Sequence, residues 1–165
     1  MYKKDFNRIS IRGRIAFAIQ CAKSYWDSNI KKDFSPIYEK MLDILGNKYP
    51  IDEAANIYME IIPEYLFEFN TYEESNFQYL SKNDYTLFCT LLNSAPEELN
   101  TIMKKIYDMV MSYAYTGIEP NAPMVTDRLF EIIHIMHNAK ISLPPIEDYY
   151  KYDYSIADGW GDFIL

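Results

Sequence analysis

The side chains best suited to metal chemistry lie close together, between Glu131 and His137. Glu131 and His134 have the Glu-x-x-His spacing that di-iron helical bundles use, and His137 follows three residues later. A di-iron site needs a second motif of this kind, but the chain has only two histidines. A single metal ion held by Glu131, His134 and His137 is one hypothesis. The alternative is a half-buried histidine and a surface histidine near the end of a helix.

The sequence contains no motif for nucleophilic catalysis and none for phosphate binding. Cys21 and Cys89 both lie within apolar helical patterns, which indicates buried free thiols in a reducing compartment. The alternative is a disulfide between them. A nucleophile–histidine pair that uses one of these thiols or a serine is a separate hypothesis, and no elbow-type sequence supports it. The few glycines are scattered, so the sequence contains no phosphate-binding loop. We therefore predict no catalytic residue, no cofactor and no metal, and a protein that is not an enzyme.

A dense acidic segment covers residues 52–74, with seven carboxylates and no lysine or arginine. Glu60, Glu64 and Glu68 recur every four residues, which places them on one helix face if the kink at Pro63 is mild. Like charges at this spacing destabilise a helix by roughly a few tenths of a kcal/mol per pair. We interpret the face as a docking surface for a basic protein; the alternative is a solvated face without a partner. The carboxylates predicted to bind the partner are Glu60, Glu64, Glu68, Glu73 and Glu74.

A second acidic and aromatic cluster occupies the C-terminal tail. Tyrosine and tryptophan are common interface anchors because they bury a large area at small entropic cost. For residues 149–154, contact with a partner and packing on the protein are both open, whereas residues 160–165 are expected to plug the end of the helical array. The tail residues predicted to bind the partner are Tyr149, Tyr150, Tyr152 and Asp153.

Helices must position these groups, because apolar residues recur at three- and four-residue intervals and no strand-like alternation appears. The longest pattern covers 95–117, from Pro96 at the first helical position to Gly117 as the closing residue. We expect the other helices to pack around this one. Further helical segments are predicted over 10–28, 35–46, 52–69 with a kink or division at Pro63, 71–80, 81–92 and 124–138.

The short connections favour a mostly antiparallel, all-α multi-helix array. A chain of 165 residues is most simply a single domain, here 1–165. We expect a basic arm at 1–8 and an irregular tail at 144–165 that packs on the helices.

Composition restricts the class of partner. Hydrophobic residues make up 49% of the chain and aromatic residues 16%, which excludes global disorder. The net charge of −8 argues against nucleic acid as a direct partner, because phosphates are bound by basic surfaces. No apolar run is long enough to span a membrane. We therefore expect a cytoplasmic protein with a basic protein partner.

Two short motifs resemble those of a known family. Together with the chain's size and acidity, the segments Arg14-Ile-Ala-Phe-Ala-Ile-Gln-Cys21 and Asp158-Gly-Trp-Gly161 resemble the all-α immunity proteins of bacterial polymorphic toxin systems. The resemblance touches both ends of the chain and leaves the middle unmatched. It implies a single-domain cytoplasmic protein that binds and neutralises a cognate toxin, often a basic nuclease, without catalysis. The alternative function is a helical regulatory or scaffold module that binds a peptide or protein partner.

Overall fold

The helical periodicity of the sequence corresponds to helices along most of the chain. The computed structural model describes residues 2–46 and 49–162. Within these ranges the chain forms seven α-helices and no β-strand, which confirms the predicted all-α fold class. No helix in the described ranges is long and apolar enough to cross a membrane. The helices are α1 (Ile11–Asn29), α2 (Ser35–Gly46), α3 (Ile51–Met59), α4 (Pro63–Leu66), α5 (Lys82–Leu92), α6 (Glu97–Met111) and α7 (Pro123–Asn138).

Caps and prolines set several helix bounds close to the predicted ones. α1 begins after Ser10, whose hydroxyl accepts a hydrogen bond from the Gly13 N–H at 3.2 Å. α5 begins after Ser81, whose hydroxyl accepts from the Asp84 N–H at 3.1 Å. Each cap satisfies an N–H group that lacks a partner within its own helix. Pro63 divides the third predicted helix into α3 and α4, because proline cannot donate a backbone hydrogen bond.

Two helical predictions were too long. α6 has 15 residues; Pro96 precedes it as the cap residue, and the chain continues from Met111 as turns, so Gly117 does not close the helix. The helical piece predicted for 71–80 is reduced to a 3₁₀ turn at Tyr72–Glu74, and the Thr71 side chain makes no cap hydrogen bond. Turn residues therefore replace helix at both places.

The centre of the protein is shared by α1 and α6. Thirteen of the 19 residues of α1 are buried, and this helix packs against α2, α6 and α7. α6 packs against α1, α3, α4 and α7. One apolar core, to which every α-helix contributes, connects them. The prediction of α6 alone as the organising helix was incomplete, because α1 buries a larger share of its residues than α6, which buries six of 15.

The N-terminal residues are packed rather than extended as an arm. A 3₁₀ turn covers Lys3–Phe6, and Phe6 is fully buried. Its ring meets Phe17 edge-on at a centroid distance of 5.3 Å and Phe130 at 5.9 Å. The basic arm predicted for 1–8 is therefore anchored, because the Phe6 ring fixes the segment in the core while Lys3 and Lys4 stay exposed.

Arg14 is fully buried and joins α1 to the N-terminal turn and to the start of α7. Its Nε donates to the carbonyls of Phe6 at 3.1 Å and Ile9 at 2.9 Å. Its Nη1 donates to the Asn121 carbonyl and to the Thr126 hydroxyl, each at 2.8 Å. Burial lowers the pKa of Arg14 to about 10, so the guanidinium stays protonated at neutral pH. The positive charge of Arg14 is thus stabilised by carbonyl and hydroxyl oxygens, and its hydrogen bonds connect the start of the chain to α7.

Candidate protein-docking site

Glu60 is buried and caps a loop. Only 5% of the Glu60 surface is exposed. Its carboxylate accepts hydrogen bonds from three consecutive backbone N–H groups, those of Gln78 at 2.7 Å, Tyr79 at 2.9 Å and Leu80 at 2.7 Å. Consecutive N–H groups that converge on one anion form a nest, so Glu60 holds the loop between α4 and α5. The prediction that Glu60 belongs to an exposed docking face was wrong for this reason.

Glu64 and Glu68 are exposed, but they do not continue a helix face from Glu60. Ile62 is extended, with φ −73° and ψ 137°, and separates the end of α3 from α4. Glu64 lies in α4, and Glu68 follows its end. The predicted single face of three glutamates was wrong because the break at Pro63 is a division and not a mild kink.

Glu73 and Glu74 lie exposed on the 3₁₀ turn that precedes α5. Glu73 forms an ion pair with Lys82, whose hydrogen bond lowers the pKa of the Glu73 carboxyl. The Glu74 carboxylate accepts from the backbone N–H of Asn70 at 3.2 Å. Both glutamates are therefore partly occupied by local contacts. Contacts between aromatic rings hold this loop and its surroundings, and they involve Tyr65, Phe69, Tyr72, Phe77 and Tyr85.

Two of the predicted tail residues pack on the N-terminal part of the protein. The Tyr149 ring contacts Phe17 edge-on, with 5.1 Å between centroids, and burial raises the pKa of the Tyr149 hydroxyl. The Arg8 guanidinium lies 3.4 Å from the centre of the Tyr150 ring. These tyrosines have partners within the protein, which favours packing over partner binding.

The other two tail residues contact the chain around the start of α1. The Tyr152 carbonyl accepts from the Ser10 N–H at 2.8 Å. Asp153 forms an isolated antiparallel bridge with Ile9, and its carboxylate accepts from the Ser155 N–H at 2.8 Å. That backbone hydrogen bond lowers the pKa of Asp153. The tail thus docks through its backbone as well as its rings.

The Asp-Gly-Trp-Gly segment packs beside the helix that carries the other motif. The Trp160 carbonyl accepts from the Arg12 N–H at 3.1 Å. Gly161 has φ +80°, and a Cβ there would lie 2.2 Å from the Ser10 Oγ. Trp160 is half-buried against the core, whereas residues 163–165 of the predicted plug lie outside the described residues. Both motifs therefore contribute to packing here.

The surface between α4 and α6 combines exposed carboxylates with an exposed aromatic ring. It contains two grooves of about 420 and 230 Å³, and both are lined by Glu64 and Lys104. Phe67, which is 44% exposed, and Glu97 also line the larger groove, while Glu68 lines the smaller one. We call these five residues the α4–α6 surface. An exposed aromatic side chain beside grooves is a typical interface anchor.

Three residues of this surface were not predicted from the sequence, namely Phe67, Glu97 and Lys104. Phe67 lies between two predicted site glutamates and outside the apolar repeat, which was the available signal. Glu97 has an ordinary explanation as negative charge at the positive end of a helix dipole. Lys104 is distant from Glu64 in sequence, so no local pattern connects them.

Glu131, His134 and His137 do not come together as a metal site. The Glu131 carboxylate pairs with Lys105 at 2.5 Å and with Arg128 at 2.6 Å, and both histidines are exposed. In the part of the chain that the structure describes, no group of three or more potential ligands could hold a metal ion.

The two cysteines are free thiols. Cys21 is buried and Cys89 is half-buried. Burial raises the pKa of each, most strongly that of Cys21, so neither thiol is activated as a nucleophile.

Comparisons of this chain with family models, with curated proteins and with solved structures found no match. The features of the chain that point to a function are therefore the α4–α6 surface and the resemblance of the two motifs.

Proposed function

We propose that this protein is an immunity protein that binds and neutralises a cognate bacterial toxin domain, without catalysis, through the α4–α6 surface. The observation that carries the proposal is the exposed Phe67 between two exposed glutamates, beside two grooves. The net charge of −8 favours a basic partner. The motif resemblance supports a toxin as that partner, and the free thiols fit a reducing cytoplasm.

The charged and aromatic residues have different roles in this proposal. The Glu64 side chain is 74% exposed, so solvent and salt screen its attraction to a partner, and its main effect is on the rate of association. Phe67 loses its exposed apolar area in the complex. Full burial of a phenylalanine side chain contributes about 1.5–3 kcal/mol. Since Phe67 is already more than half buried, its contribution to the complex is about 1 kcal/mol, which mainly slows dissociation.

The test begins with the immobilised protein and a lysate of the source organism at low and high salt, with captured proteins identified by mass spectrometry. We expect a stoichiometric basic toxin domain, captured less efficiently at high salt. Co-expression with this toxin should then restore growth of a sensitive host. Absence of any captured toxin domain from a lysate that contains one would contradict neutralisation.

Kinetics with the purified toxin locate the binding surface. The double variant Glu64→Lys/Glu68→Lys should associate about tenfold or more slowly at low salt, because attraction becomes repulsion. The variant Glu147→Lys/Asp148→Lys is the matched control, since it makes the same charge change at two exposed tail residues. Phe67→Ala should chiefly speed dissociation. Equal slowing by both double variants would remove the α4–α6 surface from the proposal.

A helical regulatory or scaffold module is the second candidate. Apolar side chains line the two grooves as well, including Ile62, Pro63 and Tyr107, and such grooves suit an amphipathic peptide. A complex with a cellular partner whose affinity is independent of salt would favour this candidate over toxin neutralisation.

A further inference from the structure

The larger groove between α4 and α6 is rich in hydrogen-bond acceptors. Glu64 and Glu97 line it from different helices, and both residues are exposed. Asn100 lines it as well, and no donor among the described residues reaches its enclosed Oδ1. The groove therefore presents two carboxylates from different helices to a ligand, whereas the Asn100 oxygen has almost no accessible surface. A ligand that carries several N–H donors would complement this set.

Lys104 is the cation that the protein itself supplies to the groove. Its Nζ lies 3.8 Å from a Glu64 oxygen and 3.8 Å from an Asp108 oxygen. Both distances exceed the usual range for a hydrogen bond, so the ammonium partly neutralises these carboxylates without satisfying them. A better donor could thus replace Lys104 at Glu64.

We propose that this groove binds an arginine side chain of the protein partner, with Lys104 as an internal competitor for Glu64. The proposal rests on the proposed function for the existence of a basic protein partner. A guanidinium is planar, its fork of N–H donors matches carboxylates in bidentate fashion, and it stacks on aromatic rings. The exposed Phe67 supplies such a ring at the edge of the groove. A lysine ammonium offers neither the fork nor the stacking.

The first experiment separates the guanidinium from charge and shape. Three dye-labelled peptides share the same leucine-rich flanks and carry a central arginine, lysine or citrulline. Binding is measured at low salt by fluorescence polarisation and by the amide chemical shifts of Glu64 and Phe67. We expect the arginine peptide to bind at least about threefold more tightly than the lysine peptide, in line with bidentate recognition. Citrulline, which keeps the shape and loses the charge, should bind more weakly than arginine and shift the two amides less.

The second experiment tests the competition by Lys104. Lys104→Met should tighten binding of the arginine peptide about two- to fivefold, the range that an exposed ion pair contributes. Lys105→Met is the matched control, because Lys105 neighbours it in α6, pairs with Glu131 at 2.5 Å and gives the same change in net charge. It should leave the affinity unchanged, whereas Glu64→Gln should weaken it. Equal tightening by the two lysine variants would overturn the proposal, as would equal affinity for the arginine and citrulline peptides.

Failure of this inference is distinguishable from failure of the proposed function. If a toxin binds in a Glu64- and Glu68-dependent manner while the arginine peptide shows no preference, only the arginine site is overturned. If the peptides behave as expected and no toxin is captured, neutralisation is overturned and the arginine site stands.

Discussion

Replacement of Glu60 by alanine should destabilise the fold more than the loss of any exposed glutamate. The change removes the carboxylate that accepts hydrogen bonds from three backbone N–H groups, those of Gln78, Tyr79 and Leu80. The first two belong to exposed residues and can be solvated, whereas Leu80 is 2% exposed. A buried donor left without a partner costs about 1–3 kcal/mol, and each solvated donor costs less. We therefore expect the free energy of unfolding to fall by about 2–4 kcal/mol.

Urea denaturation measures this change, and native-state hydrogen exchange locates it. The Leu80 amide should exchange faster in Glu60→Ala, because its acceptor is gone. Glu60→Gln keeps one acceptor oxygen and should show an intermediate loss. Glu64→Ala is the control, since an exposed side chain of the same type changes stability by about 0.5 kcal/mol or less. Equal stability of the Glu60→Ala and Glu64→Ala variants, or unchanged exchange at Leu80, would refute the capping role.

Three further predictions follow from other parts of the fold. Gly161→Ala should lower the free energy of unfolding by about 2–4 kcal/mol, because φ is +80° and a Cβ would overlap the cap of α1; Gly117→Ala, with nothing within 4 Å, should not destabilise the protein in the same urea titration. Ser81→Ala should cost about 1 kcal/mol, measured as a lower thermal midpoint, because α5 loses its N-cap; an unchanged midpoint would contradict the capping hydrogen bond. Cys89 should react slowly with an aromatic disulfide reagent and Cys21 only after unfolding, because burial blocks Cys21 and raises its pKa; rapid reaction of both thiols in the native protein would show that α1 is not enclosed.

The helices whose bounds could be predicted from sequence are those with a serine, proline or glycine at their ends. α2 covers Ser35–Gly46, although Ser35 is its first residue and not the predicted cap, and α7, predicted for 124–138, begins one residue earlier at Pro123. Serine caps and prolines act on the neighbouring turn, so their effect can be derived from adjacent residues. Gly117 was a misleading signal. A glycine allows a helix to end at that position, but it does not make the helix extend as far as the glycine, and α6 ends at Met111.

The functional assignment of the glutamates was less predictable. Glu60 and Glu64 are the same residue type at helical spacing, and one is buried while the other is exposed. What separates them is the position of the N–H groups of residues 78–80, which approach only in the folded chain. The tail tyrosines present the same problem, because an aromatic residue suits a core and an interface equally well. Hydrophobic periodicity indicates which residues need burial, but it does not identify the surface that covers them.

The buried Arg14 has a consequence for the order in which the protein is made. Its acceptors at Asn121 and Thr126 lie 107 and 112 residues further along the chain. A nascent chain therefore carries a guanidinium in α1 long before the acceptors of its Nη1 leave the ribosome, and until then only the nearby Phe6 and Ile9 carbonyls are present to accept from it. Arg14 can therefore be buried with all its hydrogen bonds only when synthesis has passed Thr126. A product truncated before that residue would contain every residue of the α4–α6 surface, yet it would lack the fold that presents them.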